Sequence, residues 1–252
     1  MAVTHIESAE AGYAIALDLH TKRVAAGWRP VGRKIGFTNR SIWPRYGVYQ
    51  PIFGFVYDRT LTMAPDGTAT LSLANLAQPR IEPEICFGLK ASPPRSKNPA
   101  EIVAAIEWVA HSIEIVQCTL PGWQMKVGDS TAANGLHGAL IVGRKIPVSG
   151  IKDLASWLPA LKVALKNNDQ VIDRGTGSNV LDSPLLALSH LVEILSAQTD
   201  FPQLSAGEII STGTMTDAAP VCSGETWSTE FEGGGVSNLA GLRLSGLTVR
   251  FE

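Results

Sequence analysis

Short strand-like runs, separated by turns rich in glycine and proline, are the feature that most limits the fold of this chain. Its 252 residues include 24 glycines and 15 prolines, which interrupt helices and strands. Runs with strand character lie at residues 67–76, 80–89, 113–118 and 138–146. Residues 160–177 predict a β-hairpin that turns at Asn167, Asn168 and Asp169. The segment after residue 208 predicts several further short strands.

Helical patterns are fewer and lie between these strands. They cover residues 8–26, residues 98–112, and a segment that starts at Ser183 and Pro184, a favourable cap and first helical residue. No regular alternation of strand and helix is present, so we expect an α+β fold, a mixed β-roll or barrel-like core with peripheral helices. We expect an N-terminal helical and loop region over residues 1–70, packed on a core over residues 71–252, as one functional unit.

Composition excludes several classes of function. The formal net charge is −2 and basic residues form no cluster, so nothing indicates a nucleic-acid partner. The three cysteines (Cys86, Cys118 and Cys222) are widely spaced, which argues against a disulfide framework or a structural zinc site. We find no signal peptide and no apolar run near the ~20 residues that span a bilayer. We therefore expect a cytoplasmic protein without a membrane segment.

The segment RIEPEICFGL, residues 80–89, places two acids in an apolar run. On a strand, Glu82 and Glu84 share one face because side chains alternate between the two faces. That face could be wet, or it could bind a cation. Pro83 cannot donate to a sheet ladder, so we expect this point to lie at an edge or an irregularity.

Glu114 is a third acid, flanked by Ile113 and Ile115. On a continued helix it would share a solvated stripe with Glu107 and His111. On a strand it would project away from its apolar neighbours and could complete a site of oxygen ligands, which suits Mg²⁺ or Mn²⁺. The residues alone leave both alternatives open.

Six segments in a familiar order carry a family resemblance. They are VGRKIGFTN (31–39), YGVYQPIFGFVYD (46–58), RIEPEICF (80–87), IEIVQ (113–117), GSNVLDSPLLALSHLVEIL (177–195) and IISTGTMTDAAPVCSGETW (209–227). Together they resemble the 2-keto-4-pentenoate hydratase family of the fumarylacetoacetate hydrolase superfamily, which also includes 4-oxalocrotonate decarboxylases. The resemblance covers nearly the whole chain after about residue 10.

The resemblance implies a mixed β-roll with a Mg²⁺ or Mn²⁺ ion held by Glu82, Glu84 and Glu114. It also implies that Lys34 points into the pocket. Three carboxylates around a divalent ion leave a formal charge of −1 before an anionic substrate arrives, so a nearby cation is needed. Lys34 is the candidate, and it could also carry protons.

Other polar residues are candidates for binding substrate. The segment VGDSTAANGLHG, residues 127–138, is similar to the substrate-side loop of the family, which nominates Asp129 and Asn134. Thr212, within STGT, could bind a carboxylate. Asp and Asn also favour turns for local reasons.

One position departs from the family pattern. Hydratases of this family usually have an acid after the proline of the Q-P-x-x-G segment, where this chain has Ile52. The absence of that acid weakens the assignment of dienoate hydration. Asp58 could substitute, although a role in a turn is the stronger explanation for it. The C–C hydrolases of the superfamily use a histidine–acid pair, and no short-range motif clearly plays that part here, which argues against the hydrolase branch.

The resemblance therefore implies a metal-dependent lyase that hydrates a 2-hydroxydienoate or 2-oxo-4-enoate from aromatic catabolism. The first alternative is a 4-oxalocrotonate-type decarboxylase. The second is a catalytically weak partner subunit of a hydratase–decarboxylase complex. A homo-oligomer is expected, with a hydratase or decarboxylase as a further partner.

Overall fold

Two mixed β-sheets dominate the structure, a computed structural model that describes residues 4–151, 153–232 and 244–252. The described residues form fourteen strands: β1 (Pro30–Gly36), β2 (Ile52–Tyr57), β3 (Leu61–Met63), β4 (Thr68–Leu71), β5 (Arg80–Leu89), β6 (Ile106–Val116), β7 (His137–Val142), β8 (Ile146–Pro147), β9 (Lys162–Asn167), β10 (Gln170–Thr176), β11 (Ile209–Thr214), β12 (Ala219–Pro220), β13 (Thr226–Phe231) and β14 (Thr248–Phe251).

Six α-helices accompany these strands in the same described ranges. They are α1 (Ala9–Ala25), α2 (Trp43–Tyr46), α3 (Pro99–Ala104), α4 (Val127–Ala132), α5 (Leu154–Ala160) and α6 (Pro184–Ala197). Short 3₁₀ turns link several of them. The predicted α+β class, with helices outside mixed sheets, is confirmed.

The larger sheet holds nine strands of the described chain in the order β2-β1-β11-β5-β6-β7-β3, with β12 added beside β5 and β8 beside β6. Its β1–β11 and β3–β7 pairs are parallel and its other pairs are antiparallel. Val56 of β2 and Leu140 of β7 belong to one buried cluster although four strands separate them in the sheet. The sheet therefore curls into the predicted barrel-like form.

The smaller sheet has the order β10-β9-β13-β14-β4. The hairpin of β9 and β10 turns at Asn168 and Asp169, both with positive φ, as predicted. Strands from both sides of residue 70 share each sheet. The predicted boundary at residue 70 therefore does not separate two sheets, and action as one functional unit stays a prediction.

Helix α6 begins at the predicted cap, where the Ser183 hydroxyl accepts a hydrogen bond from the Leu185 backbone N–H. The longer segment Gly177–Ala197 is the one helix in the described ranges that is long and apolar enough to cross a membrane. Of its most apolar stretch, 56% is buried inside the fold. Burial of this kind is typical of a core helix.

The predicted helix over residues 98–112 is wrong in its second half. Helix α3 ends at Ala104, and strand β6 begins at Ile106. Both faces of β6 are buried, so its apolar residues are nearly continuous and do not show a two-residue period. Such a run cannot be distinguished from a buried helix by periodicity. The strand alternative for Glu114 is therefore the correct one.

Candidate metal centre

Strands β5 and β6 bring the three predicted acids together. In their antiparallel register Glu82 lies opposite Glu114, and Glu84 lies opposite Ser112. One carboxylate oxygen from each of Glu82, Glu84 and Glu114 lies within 4.8 Å of the others. Glu84 and Glu114 are fully buried and Glu82 is partly buried. The shared face of Glu82 and Glu84 is therefore not the wet face that their pattern also allowed.

An irregularity in β11 fixes Glu84. Pro83 lies in the middle of the sheet, not at an edge, and its carbonyl accepts a hydrogen bond from Met215 N–H on the β11 side. The register between β11 and β5 shifts after Ser211, opposite the proline that cannot donate. The backbone N–H of Gly213 then donates to Glu84 Oε2 at 2.9 Å, and the Ser211 hydroxyl donates to the same oxygen at 2.5 Å.

Gly213 is required at this irregularity. Its φ is +104°, and a β-carbon there would lie 1.9 Å from the Thr38 hydroxyl oxygen. A larger residue would therefore displace the N–H that orients Glu84.

The carboxylates keep oxygens free for a cation. Among the described residues, no donor bonds Glu84 Oε1, although it is buried. Glu114 Oε1 pairs with His137 Nδ1 at 2.7 Å, and Glu114 Oε2 lies 3.2 Å from Lys34 Nζ without a well-directed hydrogen bond. Buried carboxylate oxygens are costly unless they are paired or coordinate a metal. The site therefore fits a divalent ion with oxygen ligands.

Lys34 is buried against these acids, as the resemblance implied. Its Nζ donates to the carbonyl of Gly135 at 2.9 Å, besides the contact with Glu114. Burial by itself lowers the pKa of Lys34, but the negative charges of Glu114, Glu82 and Glu84 outweigh it and raise the pKa. Lys34 is therefore cationic at neutral pH in the metal-free protein.

The three acids differ in their tendency to hold a proton. Burial raises the pKa of Glu82 to about 7, against the opposing effect of Lys34. Burial, reinforced by Glu114 and Glu82, raises the pKa of Glu84 well above its usual value. For Glu114, burial is outweighed by Lys34 and by the hydrogen bond with His137, so its pKa is lowered. In the metal-free site, Glu82 and Glu84 therefore hold a proton more readily than Glu114 does.

Binding of Mg²⁺ is expected to release protons. An ion competes with protons for Glu82 and Glu84, whose pKa values are raised, so its affinity should fall as the pH drops below about 7. Calorimetric titration with MgCl₂ in buffers of different ionisation enthalpy measures the release, and net release of protons is expected near pH 7. A Mg²⁺ affinity that does not change between about pH 6 and about pH 8 would contradict competition between the ion and protons for these acids.

A cavity of about 170 Å³ opens beside the acids. Its wall has four charged residues, Glu82, Lys34, Arg80 and Asp217, and Ile52 and Leu136 are among its apolar residues. Ile52 is therefore at the cavity, where the family pattern would place an acid. Asp58 is not in this wall: its carboxylate accepts hydrogen bonds from the backbone and the guanidinium of Arg29 in a turn.

The predicted substrate-binding residues do not line this cavity. Asp129 accepts hydrogen bonds from the backbone N–H groups of Ile6 and Lys126 and pairs with the ring of His5. Its position at the start of α4 explains these contacts, because a carboxylate there caps free backbone N–H groups. Asp129 thus fixes the N-terminal segment on α4, and its role in binding substrate stays a prediction.

Asn134 and Thr212 are also directed away from the cavity. Asn134 Oδ1 accepts from Phe55 N–H at 2.7 Å, and its Nδ2 donates to the Phe55 carbonyl at 2.9 Å, which fixes strand β2. The Thr212 hydroxyl donates to the carbonyl of Ile85 at 2.8 Å. Both side chains are buried, so these bonds satisfy groups that water cannot reach. From the same two segments, Gly135 and Thr214 reach the cavity wall.

His137 is a site residue that sequence reasoning did not identify. Its Nδ1 contacts Glu114 and its Nε2 lies 2.8 Å from the Thr60 hydroxyl, so both ring nitrogens are engaged. This histidine–acid pair spans 23 positions and becomes adjacent only through the pairing of β6 with β7. His137 orients Glu114 and does not line the cavity, so it does not supply the water-activating pair of the hydrolase branch.

Comparisons with known proteins agree with this architecture. Residues 46–239 match the fumarylacetoacetate (FAA) hydrolase C-terminal family model. A 2-hydroxyhexa-2,4-dienoate hydratase from Comamonas testosteroni is 32% identical over 91% of this chain and 85% of its own length. A 4-oxalocrotonate decarboxylase from Pseudomonas sp. (strain CF600) is 27% identical over 88% of this chain and 81% of its own.

A solved structure of a related enzyme has the same fold. The 4-oxalocrotonate decarboxylase from Pseudomonas putida G7, complexed with magnesium and adipate, superposes with a TM-score of 0.83 at 25% identity and covers 97% of this chain and 86% of its own. The family model spans most of this chain, and the hydratase exceeds 30% identity across most of both lengths. The chain therefore belongs to the fumarylacetoacetate hydrolase family.

Proposed function

We propose that this protein is a divalent-metal-dependent lyase that hydrates a small 2-hydroxydienoate or 2-oxo-4-enoate from aromatic catabolism. The observation that carries the proposal is the convergence of Glu82, Glu84 and Glu114 beside the cationic Lys34, at a cavity whose wall includes Glu82 and Lys34. The hydratases and the decarboxylase among its relatives support the choice of reaction class.

Each residue of this set has a distinct part. The three glutamates would hold Mg²⁺ or Mn²⁺ through their carboxylate oxygens, among them Glu84 Oε1, which no described donor bonds. When bound, the ion supplies Lewis-acid stabilisation to the carboxylate and C2 oxygen of a 2-oxo acid. Lys34 offsets the remaining negative charge of the site, and its Nζ carries a proton that can be exchanged with the substrate's carbon chain.

Ultraviolet monitoring of 2-hydroxypenta-2,4-dienoate during a Mg²⁺ titration tests the proposal. Loss of the dienol absorbance that depends on the metal, with formation of 4-hydroxy-2-oxopentanoate, is the expected result. Turnover that is equal in the presence and absence of a chelator would refute it. Release of CO₂ from 4-oxalocrotonate, measured in parallel, detects the second candidate reaction.

Decarboxylation is that second candidate, and Ile52 favours it. Hydration needs a group that activates water, and an isoleucine side chain in the cavity wall cannot do so. Decarboxylation of a vinylogous β-keto acid needs no added water, and the same glutamates and Lys34 would serve it. The structural similarity to a 4-oxalocrotonate decarboxylase supports this candidate.

Replacing Ile52 by Asp should increase the ratio of hydration to decarboxylation about tenfold or more, because it places a proton acceptor in the cavity wall. Initial rates with both substrates measure the ratio. Ile52→Asn is the matched control, since it has a similar shape and polarity without a titratable carboxyl. An equal ratio in the Asp and Asn variants would show that an acid here does not govern hydration.

We further propose a cytoplasmic homo-oligomer that can associate with a hydratase or decarboxylase partner, as the family resemblance implies. A catalytically weak partner subunit is the remaining alternative. It predicts intact metal binding with no turnover of either substrate by the isolated protein, and measurable turnover by the isolated protein excludes it.

A further inference from the structure

Arg80 lies on the same strand as two of the acids and points to the same side. Arg80, Glu82 and Glu84 are successive alternate residues of β5, and residues two apart on a strand share a face at a separation of about 7 Å. Arg80 and Glu82 both line the cavity. The strand thus presents a guanidinium at one point of the cavity wall and the metal-ligating acids further along it.

The guanidinium of Arg80 is held in place by an aromatic ring. Its Cζ lies 4.2 Å from the centroid of the Trp123 ring. Trp123 is itself buried, and its indole N–H donates to the carbonyl of Gln78 at 3.1 Å. The Gln78 side chain donates to the carbonyls of Cys118 and Leu120, which fixes the turn that carries Trp123.

Within the described part of the chain, the charge of Arg80 acts on Glu82 at a distance and lowers the pKa of that acid. Across residues 4–151, 153–232 and 244–252, no acid forms an ion pair with it. Stacking occupies one face of the guanidinium and leaves its in-plane N–H groups available. The planar guanidinium can donate two parallel hydrogen bonds to the two oxygens of a carboxylate.

We propose that Arg80, positioned by Trp123, binds the second carboxylate of a dicarboxylic 2-oxo acid whose 2-oxo end lies at Glu82, Glu84 and Glu114. This inference rests on the proposed function, because it takes the three acids as the site of the 2-oxo end. A six-carbon dicarboxylate fits the spacing of two residues along β5. The related decarboxylase structure contains adipate, a dicarboxylate of that length.

Two ligands that differ only at the far end test the proposal. Calorimetry on the Mg²⁺-loaded protein compares 2-oxoadipate, which has the second carboxylate, with 2-oxohexanoate, which lacks it. A charge-assisted contact in a partly buried site should give 2-oxoadipate about tenfold or more tighter binding. In Arg80→Gln the ratio of the two affinities should fall towards one, and Arg80→Lys should retain part of the preference for 2-oxoadipate.

The possible failures are distinguishable. Equal affinities of the wild-type protein for the two ligands would overturn the role of Arg80 and leave the proposed function standing. Equal losses for both ligands in Arg80→Gln would likewise overturn it, since the residue would then act on the whole site and not on the second carboxylate. Binding of neither ligand in the presence of Mg²⁺ would overturn the proposed function and this inference together.

Discussion

Replacing Glu82 and Glu84 together by glutamine is expected to weaken Mg²⁺ binding by about a thousandfold or more. Loss of groups that merely support ligands costs about 10- to 100-fold in metal affinity, and this variant loses two ligands themselves. Only Glu114 would remain, and Lys34 already lies 3.2 Å from one of its oxygens. Calorimetric titration with MgCl₂ measures the loss, and turnover should disappear with it.

The matched control is Glu107→Gln, which removes an exposed acid from strand β6, the strand that carries Glu114. It should leave Mg²⁺ affinity unchanged. The melting temperature of the metal-free double variant should be equal to or higher than that of the wild-type protein, because the variant removes buried carboxylates that repel one another. Metal binding that survives the double substitution would exclude these acids as the metal site.

Replacing Lys34 by methionine is expected to lower turnover by about 10²- to 10⁴-fold, the usual contribution of a positioned proton carrier. Methionine preserves much of the apolar stem that is buried at this position but has no charge and no transferable proton. The Mg²⁺ site should still fill at saturating metal. Rates at saturating Mg²⁺, together with calorimetric affinities, separate the effect on chemistry from the effect on metal binding.

Lys90→Met provides the control, since Lys90 is exposed and directly follows the last residue of β5. Its turnover should match that of the wild-type protein. Removing Lys34 also removes the cation that lowers the pKa of Glu82 and of Glu114, so rates and affinities should be compared above about pH 8, where protons compete less for the acids. Full turnover by Lys34→Met under these conditions would exclude proton transfer by this residue.

The sequence predicted the part of this site that depends on local geometry. Residues two apart on a strand share one face, so the sequence alone placed Glu82 and Glu84 on the same side of a strand. A proline between them indicated an irregularity, which the structure places in the neighbouring strand β11. The caps and turns at Ser183 and at Asn168 were equally local and were also predicted correctly.

The other features of the site depend on how the strands pair, which the sequence does not show. Strand β6 is buried on both faces, so its apolar residues gave no period that could distinguish a strand from a helix at Glu114. His137 reaches Glu114 only because β7 pairs with β6. Asn134 and Thr212 are polar residues in segments near the cavity, but their side chains satisfy buried backbone groups, and sequence alone does not give those directions.

Three of the four consecutive residues from Asn134 to His137 each hold a different part of the site in place. Asn134 fixes β2, the Gly135 carbonyl accepts a hydrogen bond from Lys34 Nζ, and His137 orients Glu114. Asn134, Gly135 and Leu136 all have positive φ, so the path of this segment is narrowly defined. Inserting or deleting one residue here would displace strand β2, Lys34 and Glu114 together. A change in the length of this connection should therefore disturb the metal site more than replacement of an apolar residue of the cavity wall such as Ile52.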